Sequence, residues 1–266
     1  MSTPEPADVP IFVLCGGLGS RLGETAAVRP KPMLDIGEKP MLLHIMACYA
    51  RHGFRRFVLC TGHRGDVISG YFANFAALNS DFTVDLAHRS ISYHQREHLP
   101  AWEVTVAFTG LATMTGARLA RAAERYLADA THFGVTYGDG LTDADLAAEF
   151  RFHLGHDRLG TVLGVQPPSP FGRLALHEDG RVSFTEKPRT TDEIVNGGFF
   201  FFRRSFLDYL STASDCVLEG EPLQRLTGDG QLEVYRHGGF WSCVDTLRDR
   251  DLVQGLWEAG TAPWKS

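Results

Sequence analysis

Short, continuous apolar runs alternate along most of this chain with segments whose apolar residues recur at helical spacing. Pro10 to Cys15 (PIFVLC) is such a run, suited to a strand covered on both faces, and it stops at Gly16-Gly17. Over 40–52, Met41, Leu42, Ile45, Met46 and Tyr49 share one helical face, with Gly53 as a stop. Phe57 to Cys60 predicts a second buried strand, and 64–78 a helix through Val67, Ile68, Tyr71, Phe72 and Phe75. Residues 103–109 alternate Val104, Val106 and Phe108, as a strand with one polar face does. A helix over 117–128, a strand from Phe133 to Tyr137, a helix from Asp143 to His156 and a strand from Thr161 to Val165 continue the series. This β-α alternation predicts an α/β fold, a Rossmann-like mixed and mostly parallel sheet flanked by helices.

After Gln166 the pattern turns β-rich. PPSPFGR reads as a loop, Arg173 to Phe184 as a hairpin turned at Glu178-Asp179-Gly180, and 196–202 (NGGFFFF) as a strand. Helical patterns at 203–211 and 246–259 bracket a strand at 231–236. Residues 1–9 read as a flexible leader, and 10–266 as one domain with halves at 10–165 and 166–266.

Composition narrows the function classes. With 44% apolar and 22% charged residues, the 266-residue chain can bury a sizeable core. Its net charge of −6 argues against nucleic acid as the main partner, although a local basic pocket for a small anion remains open. No run approaches the ~20 apolar residues of a membrane span, and the acidic, Pro-rich start lacks a signal pattern. Five widely spaced cysteines argue against a disulfide framework. A cytoplasmic enzyme without a membrane partner is the expectation.

The strongest local signal is LCGGLGSRL (14–22), directly after the first predicted strand. Glycines let the backbone turn sharply and approach phosphate oxygens. The loop lacks the final Gly of a dinucleotide fingerprint and the Gly-Lys-Ser/Thr of a Walker loop. It offers Arg21 instead, followed by Lys31 between Pro30 and Pro32. Two fixed cations beside a glycine loop suit a triphosphate and its departing pyrophosphate; a tight turn with solvated basic residues gives the same pattern.

Asp139 follows a buried strand in TYGDG, and Asp245 lies in WSCVDT. Carboxylates from separate strand ends suit Mg²⁺, which takes one or two carboxylates plus phosphate oxygens. Locally, Asp245 fits a helix N-cap better than a metal ligand, and Asp139 fits a turn former as well. Lys187 in Glu186-Lys187-Pro188 is a cation for a substrate phosphate or half of a surface ion pair. Asn196-Gly197-Gly198 offers an amide to sugar hydroxyls or simply starts a strand. Thr113 to Arg118 opens a helix suited to an anion, or is an ordinary helix start. Cys60–His63 and His153/His156 lack the further ligands a zinc site needs, and no G-x-S-x-G elbow occurs.

Taken in order, LCGGLGSRL…RPKPM, MTGARLAR, TYGDG, FTEKP, NGGFFFF, WSCVDT and the closing LWEAGTAPW resemble the sugar-1-phosphate nucleotidylyltransferases, most of all their glucose-1-phosphate cytidylyltransferase branch. The likeness runs from about Ile11 to Trp264. It implies a reaction, CTP plus a sugar 1-phosphate giving a CDP-sugar and pyrophosphate, with Mg²⁺ as cofactor and a homo-oligomer as the assembly. By motif it implies that Gly16, Gly17, Gly19, Ser20, Arg21 and Gly138 cradle CTP and that Lys31 neutralises its phosphates. Thr113 and Arg118 contact the nucleotide, and Asp139 and Asp245 hold the metal. Lys187 takes the sugar phosphate, with Glu186, Asn196 and Gly197 near the sugar ring. On that likeness the halves 10–165 and 166–266 bind nucleotide and sugar phosphate respectively. The chain departs from the family pattern at Cys15, where Ala is usual, and at Arg29, where Lys is frequent.

Overall fold

The computed structural model describes residues 4–19, 29–94, 99–166, 173–177, 179, 181–185 and 193–265. Pro10–Cys15 forms strand β1 with every residue buried, as an unbroken apolar run requires when helices cover both sheet faces. The further strands of the main sheet are β2 (Arg56–Thr61), β3 (Glu103–Phe108), β4 (His132–Tyr137), β5 (Gly160–Val165), β6 (Val195–Arg203) and β7 (Leu232–His237). Their spatial order is β7-β5-β6-β4-β1-β2-β3. Only β6 runs against its neighbours, antiparallel to both β4 and β5, so the sheet is mixed and mostly parallel, as expected.

The run Phe199–Phe202 shows why this sheet needs two covers. Phe199 and Phe201 pack on one face with helices α1 (Met41–Ala50), α5 (Leu146–Leu154) and α7 (Leu247–Glu258). Phe200 and Phe202 pack on the other, with α4 (Thr115–Tyr126) and α6 (Glu221–Gly228). Four consecutive phenylalanines are wholly buried because strand periodicity sends alternate rings to opposite cores.

Several elements differ from expectation. The helix over 64–78 is two helices, α2 (Gly65–Ala73) and α3 (Phe75–Asn79). Asn74 separates them, its side-chain amide donating to the Gly70 carbonyl at 2.8 Å and competing with the backbone ladder. The segment at 203–211 is a short 3₁₀ helix, Arg204–Tyr209. Val104 and Val106 pack against the core, but Phe108 ends an edge strand and is exposed. Of the leader, Pro6–Asp8 forms a 3₁₀ turn and Val9 is buried, because an apolar residue next to β1 has a core to enter. The Arg173–Leu176/Val182–Thr185 hairpin forms, while Glu178 and Gly180 of its turn lie outside the described residues. A second hairpin, Phe82–Asp85 with Ser90–Tyr93, and the helix α6 were not read from the sequence. All five cysteines are free thiols.

One buried group gives the fold a pH signature. Glu149 on α5 is wholly buried, and neither carboxyl oxygen has a partner. Burial pushes its pKa well above the usual carboxylate value. The folded chain therefore holds a proton that the unfolded chain releases, and stability falls as pH rises from about 4.5 toward the folded-state pKa. The slope is about 1.4 kcal/mol per pH unit. His153, buried beside His132 and His156, is pulled down to about 2 by burial and then by those rings. It acts in the opposite sense, costing stability as pH falls below about 6.5. Urea titrations of wild type and Glu149→Gln between pH 5 and 8 should diverge, the Gln variant gaining steadily with pH. Parallel curves would show that Glu149 ionises freely in the folded state.

Candidate active site

The chain leaves β1 toward β2 on one side, while β4 flanks it on the other, so their carboxyl ends open a crevice at a topological switch point. The glycine loop leaves the end of β1, and Gly138-Asp139 leaves the end of β4. A cavity of about 280 Å³ lies between them, walled by Gly17 and Gly19, the Lys31-Pro32 turn, Gly138-Asp139 and Asp245.

Its centre is a three-residue cluster. Lys31 Nζ donates to Asp139 Oδ2 and to Asp245 Oδ1, each at 2.6 Å. Burial alone would lower the Lys31 pKa, but the Asp139 carboxylate and bonds to both aspartates outweigh it and hold the ammonium above its usual range. Asp245 arrives through a small element that sequence patterning missed. Gly140–Thr142 pairs antiparallel with Trp241–Cys243, and Val244 N–H donates to the Asp139 carbonyl at 2.9 Å. That pairing sets the two carboxylates side by side although 106 positions separate them. Asp245 is not the N-cap of α7: Thr246 takes that place in a capping box with Asp249, which leaves the Asp245 carboxylate for Lys31.

Lys31 is placed with equal care. Lys31–Met33 form a 3₁₀ turn whose Pro32 packs on Gly138. A Cβ at Gly138 would stand 2.6 Å from Pro32 Cγ, so glycine there is a condition of the close approach. Arg29 pairs with Asp35 at the surface.

Cys243 was not singled out from sequence. Among the described residues, Asp139, Cys243 and Asp245 are the group whose ligand atoms lie within 4.8 Å of one another. Cys243 ends the short strand that pairs with Gly140–Thr142, two positions before Asp245, and strands that short leave no pattern to read. Burial, then Asp139 and Asp245, push its thiol up to about 12, so it is neutral beside the carboxylates. The two carboxylates fit a divalent cation. Their oxygens already converge on one cationic nitrogen, in a cavity that the glycine loop also walls.

Other candidate residues fall in distinct places. Gly17 and Gly19 border the cavity, with Gly19 at φ +62°, whereas Gly16 is buried. Arg118 lies behind the loop rather than in the cleft. Its guanidinium donates to the carbonyls of Gly16 (2.8 Å), Thr61 (3.0 Å), Gly110 (2.7 Å) and Leu111 (3.1 Å) and to Thr109 Oγ1 (2.9 Å). Thr113 is also buried, its hydroxyl accepting from Arg121 at 2.9 Å. Arg118 thus braces the glycine loop from behind, while Thr113 packs on the Gly110 turn. Asn196 is exposed, and its Oδ1 accepts from Gly198 N–H at 2.8 Å. Gly197 is tied to the Asp245 arm by Trp241 Nε1, which donates to its carbonyl at 2.7 Å. Ser20, Arg21, Glu186 and Lys187 lie outside the described residues.

Comparison with known proteins agrees with this geometry. A family model described as nucleotidyl transferase matches residues 11–249. The glucose-1-phosphate cytidylyltransferases of Salmonella typhimurium and Salmonella typhi are each 43% identical over 254 residues, covering 96% of this chain and 98% of theirs. Among solved structures, HddC from Yersinia pseudotuberculosis superposes with a TM-score of 0.66 over 94% of this chain and 99% of its own, at 20% identity. That likeness is one of fold.

Proposed function

The chain belongs to the nucleotidyl transferase family, and from that premise we propose that it joins CTP to glucose 1-phosphate, releasing CDP-glucose and pyrophosphate. The observation that carries the reading is the pair of carboxylates converging on Lys31 beside a glycine loop. The near full-length identity to the cytidylyltransferases narrows the base and the sugar.

The chemistry follows from the placement of charge. A phosphate oxygen of the sugar 1-phosphate attacks the α-phosphorus of CTP in line. A new P–O bond forms as the α–β bridging P–O bond breaks and its electrons leave with pyrophosphate. No covalent enzyme intermediate is required, so positioning and electrostatics supply the rate. The Gly17–Gly19 backbone lies where it can approach the triphosphate, and Lys31 has the reach to neutralise it. Asp139 and Asp245 would hold Mg²⁺, which when bound would stabilise charge on the α-phosphate and leaving group. On the family pattern Thr113 and Arg118 are assigned to the nucleotide, Arg118 from behind the glycine loop, where it bonds the Gly16 carbonyl.

Residues 10–165 then form the nucleotide half and 166–266 the sugar half, apart from Asp245, which crosses to the metal. Lys187, Glu186, Asn196 and Gly197 are assigned to the sugar phosphate, and Ser20 and Arg21 to the triphosphate, on the family pattern. The exposed face of the Phe82–Asp85/Ser90–Tyr93 hairpin, with Phe82, Val84 and Ile91, suits a homo-oligomer contact.

The test is pyrophosphate release from CTP, UTP, GTP, ATP and dTTP against a panel of sugar 1-phosphates. CTP with glucose 1-phosphate should give the highest kcat/KM. Cytosine presents an amino donor and a ring acceptor where uracil presents the reverse, and a site that pairs with such groups can reject the analogue by ~10⁴. Equal kcat/KM for CTP and UTP would reassign the chain as a broader nucleotidylyltransferase. No pyrophosphate from any pair would leave a nucleotide-sugar sensor on the same fold.

A further inference from the structure

The backbone of Lys31 is fixed, whereas its side chain can move. Met33 N–H donates to the Pro30 carbonyl at 2.8 Å, Leu34 N–H to the Lys31 carbonyl at 3.1 Å, and Pro32 is seated on Gly138. Beyond that anchor runs a flexible four-carbon stem. The stem carries its ammonium to the point where Asp139 Oδ2 and Asp245 Oδ1 converge, 2.6 Å from each.

A cation held through those same two oxygens sits at that point too. A divalent ion bound at about 2.1 Å to Asp139 Oδ2 lies within about 4.7 Å of Nζ, the sum of the two bond lengths, and the same limit holds from Asp245 Oδ1. Two cations that close compete for the same oxygen lone pairs and repel each other. An ion bound through Asp139 Oδ2 and Asp245 Oδ1 competes directly with the two bonds that Lys31 makes there. A displaced ammonium in turn needs a new anionic partner within reach of its stem. The cavity between the glycine loop and Lys31 has room for one, and a nucleotide triphosphate supplies that charge.

We propose that Lys31 is a place-holding cation, filling the gap between Asp139 and Asp245 until nucleotide arrives and then moving onto its phosphates as a divalent ion enters. Ion and nucleotide are thereby coupled: each binds weakly alone, because only together do they satisfy both the carboxylates and the displaced ammonium. By linkage, whatever factor nucleotide adds to ion affinity, the ion adds to nucleotide affinity. The device also keeps two carboxylates from repelling each other in the empty enzyme. The proposal rests on the assignment of Asp139 and Asp245 as ligands of the ion.

Mn²⁺ binding to the nucleotide-free protein, followed by loss of the free-ion electron paramagnetic resonance signal, provides the test. The proteins are wild type, Lys31→Met, Lys31→Gln and Lys31→Met combined with Asp139→Asn, each checked for folding by thermal melt. Both single variants should bind Mn²⁺ tighter than wild type by about tenfold or more, a typical coupling factor, and the double variant should lose the gain. If the folded Lys31 variants bind Mn²⁺ no tighter than wild type, while wild type with CTP removes more free Mn²⁺ than CTP alone does, the place-holding role is overturned and the metal assignment stands. If wild type adds nothing to the Mn²⁺ that CTP itself chelates and the Lys31 variants bind none, the assignment of Asp139 and Asp245 falls and the place-holder falls with it.

Discussion

Asp139→Asn and Asp245→Asn should each lower kcat by ~10²–10³ while leaving the fold intact. Removing a group that stabilises transition-state charge typically costs that much. Both aspartates are partly exposed and at the mouth of the cleft, so neither substitution opens a hole in the core. Each shortens the negative charge facing Lys31 by one unit and removes one of the two carboxylates from the ion. The double variant should be little worse than either single one, because the two act as one unit and such effects are not additive. EDTA should abolish turnover of wild type, and Mg²⁺ should restore it. Normal turnover in either folded variant, or synthesis that continues in EDTA, would remove the carboxylate pair from the reaction.

The sequence carried most of the scaffold but only half of the site. Strands buried on both faces announce themselves as unbroken apolar runs, so β1, β2, β4 and β5 were placed within a residue or so. Phe199–Phe202 was equally plain, since nothing but a doubly covered strand buries four successive rings. The Phe82–Tyr93 hairpin was silent because its residues are exposed and its short strands alternate too briefly. At the site, Lys31, Asp139 and Asp245 were each visible as residues following a strand or fixed by proline. Their meeting was not visible, because it depends on the three-residue pairing of Gly140–Thr142 with Trp241–Cys243, and strands that short have no period to read. Asp245 has the residue type of a helix cap, but the Thr246-to-Asp249 spacing holds the better one. Arg118 is a different case. An arginine near a helix start resembles an anion site, and only the fold shows that five protein acceptors already use its donors.

Those five bonds make the loss of Arg118 a large expected cost in stability. It is 4% exposed, and it stitches together the ends of three strands: Gly16 after β1, Thr61 at the end of β2, and Thr109 to Leu111 after β3. Burial lowers its pKa somewhat, yet an arginine stays cationic, and its fan of donors is what the converging carbonyls need. Arg118→Met keeps the length and removes every donor. Leaving a buried acceptor unpaired costs about 1–3 kcal/mol, and neighbouring losses overlap, so about 3–5 kcal/mol in all is expected. Against a total of about 5–15 kcal/mol for a typical domain, that is a large share. Arg118→Lys should rescue little, because a point ammonium with three donors cannot reach acceptors arranged around a planar fork. The glycines next to the guanidinium test the same contact from the other side. A Cβ at Gly16 would stand 2.3 Å from Arg118 Cζ and Nη1, whereas a Cβ at Gly17 would meet nothing within 4 Å. Gly16→Ala should therefore destabilise by several kcal/mol, in the range of overpacked core sites, while Gly17→Ala stays within about 0.5 kcal/mol of wild type. Denaturant midpoints of the four variants decide it. Equal midpoints for Gly16→Ala and Gly17→Ala, or a wild-type midpoint for Arg118→Met, would mean that Arg118 is not what holds the glycine loop.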